Sequence, residues 1–228
     1  MNVINFSGGK DSTAMLLRMK ELGIKVDRVV FADTKLEFPE VYDFVNHISE
    51  VISQKIDVAK SDKCFDDLFY TEIGRGKLKG QIRGFPFVIC PCWIQRDLKV
   101  APMRKLQNKD DVCFLGYNAD EKDRKQKHGI FRYPLIEWNW HGRDCLCYLK
   151  GKGLMPPYYR LFKRGGCWLC PKQSMLSLKL LYLYYPNLWE KLKNYERDSP
   201  HGFKPNFSLS KFEKSISSCP LERFYNNV

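Results

Sequence analysis

The sequence has no run of about 18 apolar residues, which is the length that a transmembrane helix needs. Residues 1–7 show neither the basic segment nor the small-residue cleavage site of a secretory signal peptide. Internal repeats and low-complexity tracts are also missing from the sequence. We therefore expect a soluble, cytoplasmic protein that has no membrane partner.

A disulfide framework is not expected either. The chain has nine cysteines, which is an odd number, and without a secretory signal its surroundings should be reducing. Metal binding or sulfur chemistry is therefore the better interpretation of so many thiols.

Acidic residues are scarce relative to basic ones. The chain has 26 Asp and Glu against 38 Lys and Arg, which gives a formal charge of +12 at pH 7. This excess favours a polyanionic partner or a highly charged substrate; a basic surface without a partner is the alternative. With 44% hydrophobic residues, the 228-residue chain can bury one substantial core, so we predict one main domain with a smaller appendage.

Short apolar segments alternate with amphipathic helical patterns through the first half of the chain. This alternation indicates an α/β fold in which helices cover both faces of a mainly parallel sheet, a three-layer sandwich. Strands are predicted at residues 2–6, 27–33, 54–59 and 111–117, and helices begin near Thr13, at Pro39 and near Trp93.

The chain changes character near residue 140, beyond which it carries two closely spaced cysteine pairs and then helical patterns rich in leucine and tyrosine. We predict a nucleotide-binding α/β domain at residues 1–140. Residues 141–228 are predicted to form a cysteine-bearing, mainly helical extension that packs on it.

A glycine-rich basic loop is predicted at residues 74–84. Its sequence, GRGKLKGQIRG, contains basic residues and no acidic residue. We expect a mobile surface loop that could clamp an anion. The basic residues are Arg75, Lys77, Lys79 and Arg83.

The first strand is followed by a phosphate loop, residues 7–12, with the sequence SGGKDS in place of the GxxxxGK[ST] pattern of a Walker A loop. Glycine tolerates the backbone angles that turn N–H groups toward an anion, and the following helix adds its positive dipole end. Lys10 adds a full charge, and Asp11 and Asp33, both near strand ends, could hold Mg²⁺ among phosphates. The loop predicts a phosphate site, and a simple tight turn is the alternative.

This hexapeptide resembles the SGGxDS signature of the PP-loop ATP pyrophosphatases. Asp33-Thr34 with the later Phe38-Pro39-Glu40 and Tyr42 resembles the DT…FPE…Y element of the phosphoadenosine phosphosulfate (PAPS) reductase family, which includes true reductases and ATP-using relatives. The resemblance spans residues 3 to about 172. It continues at Leu98-Lys99-Val100 with Pro102, at residues 116–121 with Arg124, and at residues 133–136 with Trp138.

The resemblance implies the fold of the adenine nucleotide alpha hydrolase-like superfamily, with ATP and Mg²⁺ as cofactors. It also implies the site residues, although Lys99 and Arg124 could equally be solvated surface charges. The implied catalytic residues are Lys10, Asp11, Lys99 and Arg124, and the implied nucleotide contacts are Ser7, Gly8, Gly9, Lys10, Asp11, Ser12, Asp33, Thr34 and Gly116.

The remaining cysteines suggest a metal site. Cys167-x-x-Cys170 is a half-site, and Cys90-x-Cys92 could complete a four-sulfur set for a [4Fe-4S] cluster or Zn²⁺. Sulfonucleotide reductases and DNA phosphorothioation enzymes of the family include members with such clusters, but their cysteine spacings do not match this chain cleanly. A redox-active or merely structural CxxC is the alternative. Cys145 and Cys147 fall in a helical pattern that points them apart, and Cys113 is predicted to pack in a strand.

Three functions remain open at this point. The first is an ATP pyrophosphatase that adenylates DNA or tRNA for sulfur transfer from a cysteine desulfurase-type donor. The second is a PAPS or adenylyl-sulfate reductase that uses thioredoxin, but true reductases share a C-terminal Glu-Cys-Gly-Leu/Ile-His segment, and this sequence offers only Ser218-Cys219-Pro220-Leu221-Glu222. The third is a non-catalytic nucleotide- or nucleic-acid-binding module.

Overall fold

A computed structural model of the chain describes residues 1–89, 91–124 and 130–217. The chain forms two compact units, each built from two stretches of sequence. Unit 1 comprises Met1–Asp62 and Asp97–Gly165, and unit 2 comprises Lys63–Arg96 and Gly166–Val228. The predicted domain division cut the chain once, between residues 140 and 141, whereas the compact units interleave along the sequence.

A five-stranded sheet forms the centre of unit 1. Its strand order is β3-β2-β1-β4-β5, and all neighbouring strands are parallel. The predicted α/β class with a parallel sheet is therefore confirmed. The strands are β1 (Asn2–Phe6), β2 (Arg28–Asp33), β3 (Ile56–Lys60), β4 (Val112–Leu115) and β5 (Phe131–Arg132).

Helices connect and follow these strands. The helical stretch predicted from Trp93 is present, but part of it, Gln95–Val100, is a π-helix, and Pro102 just after it lacks the N–H of a regular turn. Every helix in the described part of the chain is too short or too polar to cross a lipid bilayer. The α-helices are α1 (Lys10–Glu21), α2 (Pro39–Val51), α3 (Phe65–Phe69), α4 (Ala101–Lys105), α5 (Pro134–Glu137), α6 (Gly142–Gly151), α7 (Met175–Tyr184), α8 (Pro186–Asp198) and α9 (Leu209–Ser217), and 3₁₀ turns lie at Ala119–Arg124 and Pro157–Arg160.

Both faces of the sheet are buried at the strands β1 and β2, whereas Val58 of the edge strand β3 is 46% exposed. Alternate strand residues point to opposite faces, so that Val3 and Ile4 of β1, both 0% exposed, lie on different sides. One face packs against α4, and α1 contacts β1 and packs along α6. This two-sided burial explains the apolar run at residues 29–32 of β2. The cluster on the α4 side comprises Val3, Val30, Ala32, Ala59, Met103 and Cys113.

Unit 2 is mainly helical, as predicted for the C-terminal residues, and aromatic rings fill much of its interior. Phe85 contacts Phe69 at 5.3 Å and Phe203 at 5.1 Å between ring centroids, both edge to face. Pro186 starts α8 where α7 ends, and α8 buries Trp189. The segment 63–96 thus takes part in the same core as the C-terminal helices.

Candidate functional site

The phosphate loop turns sharply between β1 and α1. Gly8 has φ +69°, a left-handed conformation that glycine adopts without strain, and an added Cβ there would lie 3.0 Å from Cγ1 of Val41. Ser12 closes the turn, because its Oγ accepts from the N–H of Ser7 at 3.2 Å and lies 2.9 Å from Ser7 Oγ. The two hydroxyl groups therefore hold the loop in a fixed conformation.

The N-terminal end of α1 faces this turn. Gly9 is the N-cap residue, and it has no side chain with which to cap the helix. The Lys10 N–H makes only a long hydrogen bond, 3.4 Å, to the hydroxyl of Tyr159. Helix N-termini carry unpaired N–H groups and a partial positive charge, so this end of α1 can bind an anion.

Lys10 and Asp11 form an ion pair within the site. Lys10 Nζ lies 2.5 Å from Asp11 Oδ1, and the two side chains are only 17% and 22% exposed. Burial alone would lower the pKa of Lys10, but the hydrogen bond and the charge of Asp11 outweigh it and raise that pKa. Lys10 is therefore charged at neutral pH.

Cys145 of α6 contacts the same acid. Its side chain is fully buried and forms a hydrogen bond with Asp11. Burial, and then the charge of Asp11, raise the pKa of the Cys145 thiol, so the thiol stays protonated and can donate to the carboxylate. Cys147 is exposed, which confirms that the two cysteines point apart.

Two glycines let neighbouring segments approach the phosphate loop. A Cβ added at Gly116, just after β4, would lie 2.7 Å from Cα and 2.8 Å from N of Ser12, which are backbone atoms that cannot move away. A Cβ added at Gly142 would lie 2.9 Å from Lys10 Nζ and 3.3 Å from Asn118 Nδ2. The end of β4 and the start of α6 therefore border the loop.

Asp120 joins these two segments. Its Oδ2 accepts from the N–H of Gly142 at 2.9 Å, and its Oδ1 lies 2.7 Å from Nδ1 of His141. The hydrogen bond to Asp120 raises the pKa of the exposed His141 side chain. A carboxylate thus already occupies the N-terminal end of α6, which leaves α1 as the helix end open to an anion.

Asp33 and Thr34 lie at the end of β2, the strand beside β1. Asp33 Oδ1 accepts from the hydroxyl of Tyr42 at 3.1 Å and from the N–H of Lys35 at 2.8 Å. Thr34 is 5% exposed, and its Oγ1 accepts from the N–H of Leu36 at 3.2 Å. Because parallel strands end at the same edge, both residues share the carboxyl edge of the sheet with the phosphate loop.

Lys99 lies near another acid of this edge, Glu37. Burial raises the pKa of Glu37, while the positive charge of Lys99 and a 3.4 Å hydrogen bond from Thr34 Oγ1 act in the opposite direction. Tyr158, which is 3% exposed, has its pKa raised first by burial and then by Tyr159. Because its charge acts on Glu37, Lys99 is within electrostatic range of the residues that follow β2.

Arg124 follows β4 and stacks on an aromatic ring. Its guanidinium carbon lies 4.4 Å from the ring centroid of Tyr117, and the guanidinium also pairs with Glu121. Burial would lower the pKa of Arg124, but the hydrogen bond to Glu121 outweighs it and raises that pKa. The Tyr117 ring stacks in turn on Tyr133 at 5.7 Å, so the guanidinium has a fixed platform.

The structure therefore brings some of the predicted residues together. Residues 7–12 and Gly116 are in direct contact, and Asp33 and Thr34 lie at the same sheet edge. Lys99 is placed by its interaction with Glu37, and Arg124 by its stacking on Tyr117. Their roles toward a nucleotide stay predictions.

Three of the four predicted metal ligands lie within the described residues. Among residues 1–89, 91–124 and 130–217, no three His, Cys, Asp or Glu side chains are grouped to hold a metal ion. Cys92, Cys167 and Cys170 all belong to unit 2, and Cys90 lies outside the described residues. The four-cysteine set therefore stays a prediction, because one of its members is outside the described residues.

Sequence reasoning missed three neighbours of the phosphate loop: Cys145, Gly142 and Tyr159. Each is far from the loop along the chain; Lys10 and Tyr159, for example, are 149 residues apart. Cys145 was considered only as a metal ligand. The sequence signal in this region was the helical pattern that contains Cys145 and Cys147.

Comparison with known proteins identifies the family of the chain. A family model described as the phosphoadenosine phosphosulfate reductase domain matches residues 1–173, which is more than half of the 228 residues. The chain belongs to this PAPS reductase domain family. The family domain includes the whole sheet of unit 1 and every site residue described above, and it reaches just past Cys170.

The chain spans about half the length, or less, of the curated relatives it matches. It is 28% identical over 214 residues to the uncharacterized protein MJ0066 of Methanocaldococcus jannaschii. The matched region covers 86% of this chain and 41% of that protein. It is 28% identical over 148 residues to a phosphoadenosine 5'-phosphosulfate reductase of Aliivibrio salmonicida, covering 60% and 53%. Among solved structures, the U34-tRNA thiolase NcsA of Methanococcus maripaludis, with its [4Fe-4S] cluster, matches with a TM-score of 0.44 and 14% identity over 96% of this chain and 73% of that chain.

Proposed function

We propose that this chain is an ATP pyrophosphatase of the PAPS reductase family that activates an acceptor by adenylation. An acceptor oxygen attacks the α-phosphorus of ATP, the bond to the β-phosphate breaks, and pyrophosphate leaves. The terminal sulfur of a persulfide donor of the cysteine desulfurase type then attacks the activated atom and displaces AMP. A thiol reductant cleaves the resulting disulfide, is itself oxidised to a disulfide with the donor, and releases the thiolated acceptor. The proposed acceptor is a nucleic acid, either DNA or tRNA.

The observation that carries this proposal is the phosphate loop. Three features converge at the carboxyl edge of a parallel sheet: a rigid turn at Gly8, the N-terminal end of α1 with its glycine N-cap, and the charged Lys10 side chain. Backbone N–H groups at such a turn can bind several phosphate oxygens at once. A polyphosphate fits this set of donors better than a single sulfate does, because Lys10 adds a donor beyond the turn.

The Lys10–Asp11 pair suggests how the site would accept ATP with Mg²⁺. Phosphate oxygens would replace Asp11 as the partner of Lys10, and the released carboxylate would then be available to Mg²⁺. Asp33 already accepts from Tyr42 and Lys35, which fixes its carboxylate at the same sheet edge. In this proposal, Lys99 and Arg124 complete the catalytic set by neutralising charge on the phosphates.

The nucleic-acid acceptor is supported by the charge of the whole chain, +12 at pH 7. A protein that neutralises several phosphates loses affinity steeply as salt increases. Binding of the acceptor should therefore weaken strongly between low and moderate salt, whereas a small neutral acceptor would show little salt dependence.

The direct test uses ATP labelled at the α and γ positions, with Mg²⁺ and candidate RNA and DNA acceptors. The expected products are labelled AMP and labelled pyrophosphate. Formation of ADP and inorganic phosphate instead would contradict cleavage between the α- and β-phosphates. ATP binding without turnover on any acceptor would favour a non-catalytic module.

Reduction of PAPS is the second candidate, and the Aliivibrio salmonicida reductase that resembles this chain favours it. Incubation with PAPS or adenylyl sulfate and reduced thioredoxin would release sulfite if the chain has this activity. The two assays share one enzyme preparation, so that activity in only one of them decides between the candidates.

The four-cysteine metal site stays a separate proposal, which the cysteine pairs of the sequence support. Iron, sulfide and zinc analysis of protein purified without oxygen tests it directly. Substituting Cys90 and Cys92 by serine should remove any bound metal, whereas substituting the exposed Cys147 should not. Metal that is retained in the Cys90 and Cys92 variant would contradict this ligand set.

A further inference from the structure

The basic loop of unit 2 is an exposed hairpin. Its two strands pair through the N–H of Ile73 with the carbonyl of Gln81, and the N–H of Arg83 with the carbonyl of Thr71, both at 2.9 Å. The ends of the predicted loop are thus fixed by backbone hydrogen bonds, and the tip between them is exposed. Because the base is fixed, the cations of the tip are presented together at the end of the hairpin.

The cations of the hairpin tip have no acidic partner in the part of the chain that the structure describes. Arg75, Lys77 and Lys79 are exposed, and none of them forms an ion pair within the described part of the chain. The sequence from residue 73 to residue 89 contains no acidic residue. Unpaired cations in such a row are available to a polyanion and carry no internal counterion that must first be displaced.

An aromatic pair lies beside the base of this hairpin. The rings of Phe87 and His201 stack with centroids 4.3 Å apart and an angle of 24° between their planes. Phe87 is 43% exposed, and Nε2 of His201 lies 2.9 Å from the carbonyl oxygen of Phe85, which fixes the imidazole. A Cβ added at Gly84 would lie 3.0 Å from Cε1 of His201, so the hairpin base contacts this pair.

We propose that the basic loop and the Phe87–His201 pair form one binding surface for single-stranded nucleic acid. The hairpin cations would neutralise backbone phosphates, and an unstacked base would pack on the exposed ring of Phe87. A ring that is already held in place loses little side-chain freedom on binding. A double helix is a poorer ligand, because its base faces are stacked on one another and are closed to an aromatic side chain.

This proposal rests on the proposed nucleic-acid acceptor, and it names the form of that acceptor and the surface that receives it. It predicts that the acceptor presents its target in a loop, a bulge or a separated strand. Unit 2 alone supplies the surface, so binding of an oligonucleotide does not require ATP.

The test measures binding of a short fluorescein-labelled oligouridylate by fluorescence anisotropy over a series of salt concentrations. In the triple variant Arg75→Gln, Lys77→Gln and Lys79→Gln, the slope of log affinity against log salt should fall by about 2, since each phosphate contact of a single strand contributes about 0.7. The control removes three exposed lysines elsewhere in unit 2. It is Lys191→Gln, Lys211→Gln and Lys214→Gln.

The stacking half of the surface is tested separately by Phe87→Ala. Affinity should fall by about 5- to 100-fold at every salt concentration, with an unchanged slope, because one base–aromatic contact is lost. Phe87→Trp should retain affinity. The matched control is Tyr184→Ala, which removes another exposed aromatic ring of unit 2, 53% exposed, and should leave affinity unchanged.

Competing ligands complete the test. Oligothymidylate should compete about as well as oligouridylate, whereas a duplex of equal length and inorganic polyphosphate should compete more weakly. Equal competition by polyphosphate, an unchanged affinity for Phe87→Ala, or an equal loss in the control triple variant would each overturn the proposal. If nucleic acid stimulates AMP formation but these substitutions leave oligonucleotide affinity unchanged, only the proposed surface is wrong. If the oligonucleotide binds as expected but no AMP forms, only the proposed reaction is wrong.

Discussion

The two cationic regions of the molecule differ in how their charges are neutralised. At the phosphate loop, Lys10 is largely buried and pairs with Asp11. Arg75, Lys77 and Lys79 at the tip of the basic loop, in contrast, are exposed and have no ion pair within the described residues. A ligand of Lys10 must replace a carboxylate in a confined space, so the loop selects by geometry. A ligand of the basic loop replaces only water and counterions, so that loop selects by charge density.

The strongest test of this comparison removes one charge from each region. Lys10→Met should lower kcat/KM for AMP formation by about 100- to 1,000-fold, since a preorganised charge that faces the phosphates is lost. Lys77→Gln should lower oligonucleotide affinity by less than about tenfold, because an exposed charge is screened by solvent. Lys150→Met, an exposed lysine on α6, is the control for AMP formation. Similar losses from Lys10→Met and Lys77→Gln in their respective assays would contradict the comparison.

The second test concerns the shape of the phosphate loop. In Gly116→Ala, the new Cβ would lie 2.7 Å from Cα of Ser12, so the loop or the end of β4 must shift. We expect AMP formation to fall by about 100-fold, because small displacements of binding groups are costly. Gly151→Ala is the matched control, since a Cβ there meets nothing within 4 Å. Oligonucleotide binding should be normal in both variants.

The third test probes burial at the loop with a thiol reagent. Burial raises the pKa of Cys145, so little thiolate forms, while Cys147 of the same helix is exposed. At mildly alkaline pH, iodoacetamide should label Cys147 at least about tenfold faster than Cys145, as measured by peptide mass spectrometry. Equal labelling rates of the two cysteines in the folded protein would contradict the burial of Cys145 beside Asp11.

The smallest expected effect is at His141. The hydrogen bond to Asp120 raises the pKa of this imidazole above its usual 6.5, so its contribution to stability is present below that value and is lost as the pH rises through the raised pKa. A proton NMR titration should show the raised pKa in the native chain and a lower value in Asp120→Asn. Identical titration curves would mean that the pair does not form in solution.

Much of unit 1 could be predicted from the sequence, because its signals are local. The strands around residues 2–6 and 28–33 are apolar runs bounded by polar turns, and the SGGKDS loop identifies the turn between strand and helix. Pro39 marked the start of α2 correctly, since proline suits the first turn of a helix. These features need only a few neighbouring residues to define them.

What the sequence could not show depends on contacts between distant residues. The neighbours of Lys10 on α6 and at Tyr159 follow from chain topology and leave no periodic pattern near the loop. Strand β5 has two residues, too few for an alternating pattern. The basic loop lies on the surface, as its composition predicts, but the paired backbone groups that close its base into a hairpin leave no sequence pattern.

The aromatic interior of unit 2 also has a consequence for synthesis of the chain. Tyr70 donates to Asp198, a residue 128 positions later, and Phe85 packs on Phe203. At about 5–20 residues per second on the ribosome, the rings of segment 63–96 would wait roughly 6–25 s for these partners. During that interval the nascent chain carries an uncovered apolar segment. For part of that interval the second segment of unit 1 has not been synthesised either. We therefore expect the newly made chain to depend on holdase chaperones.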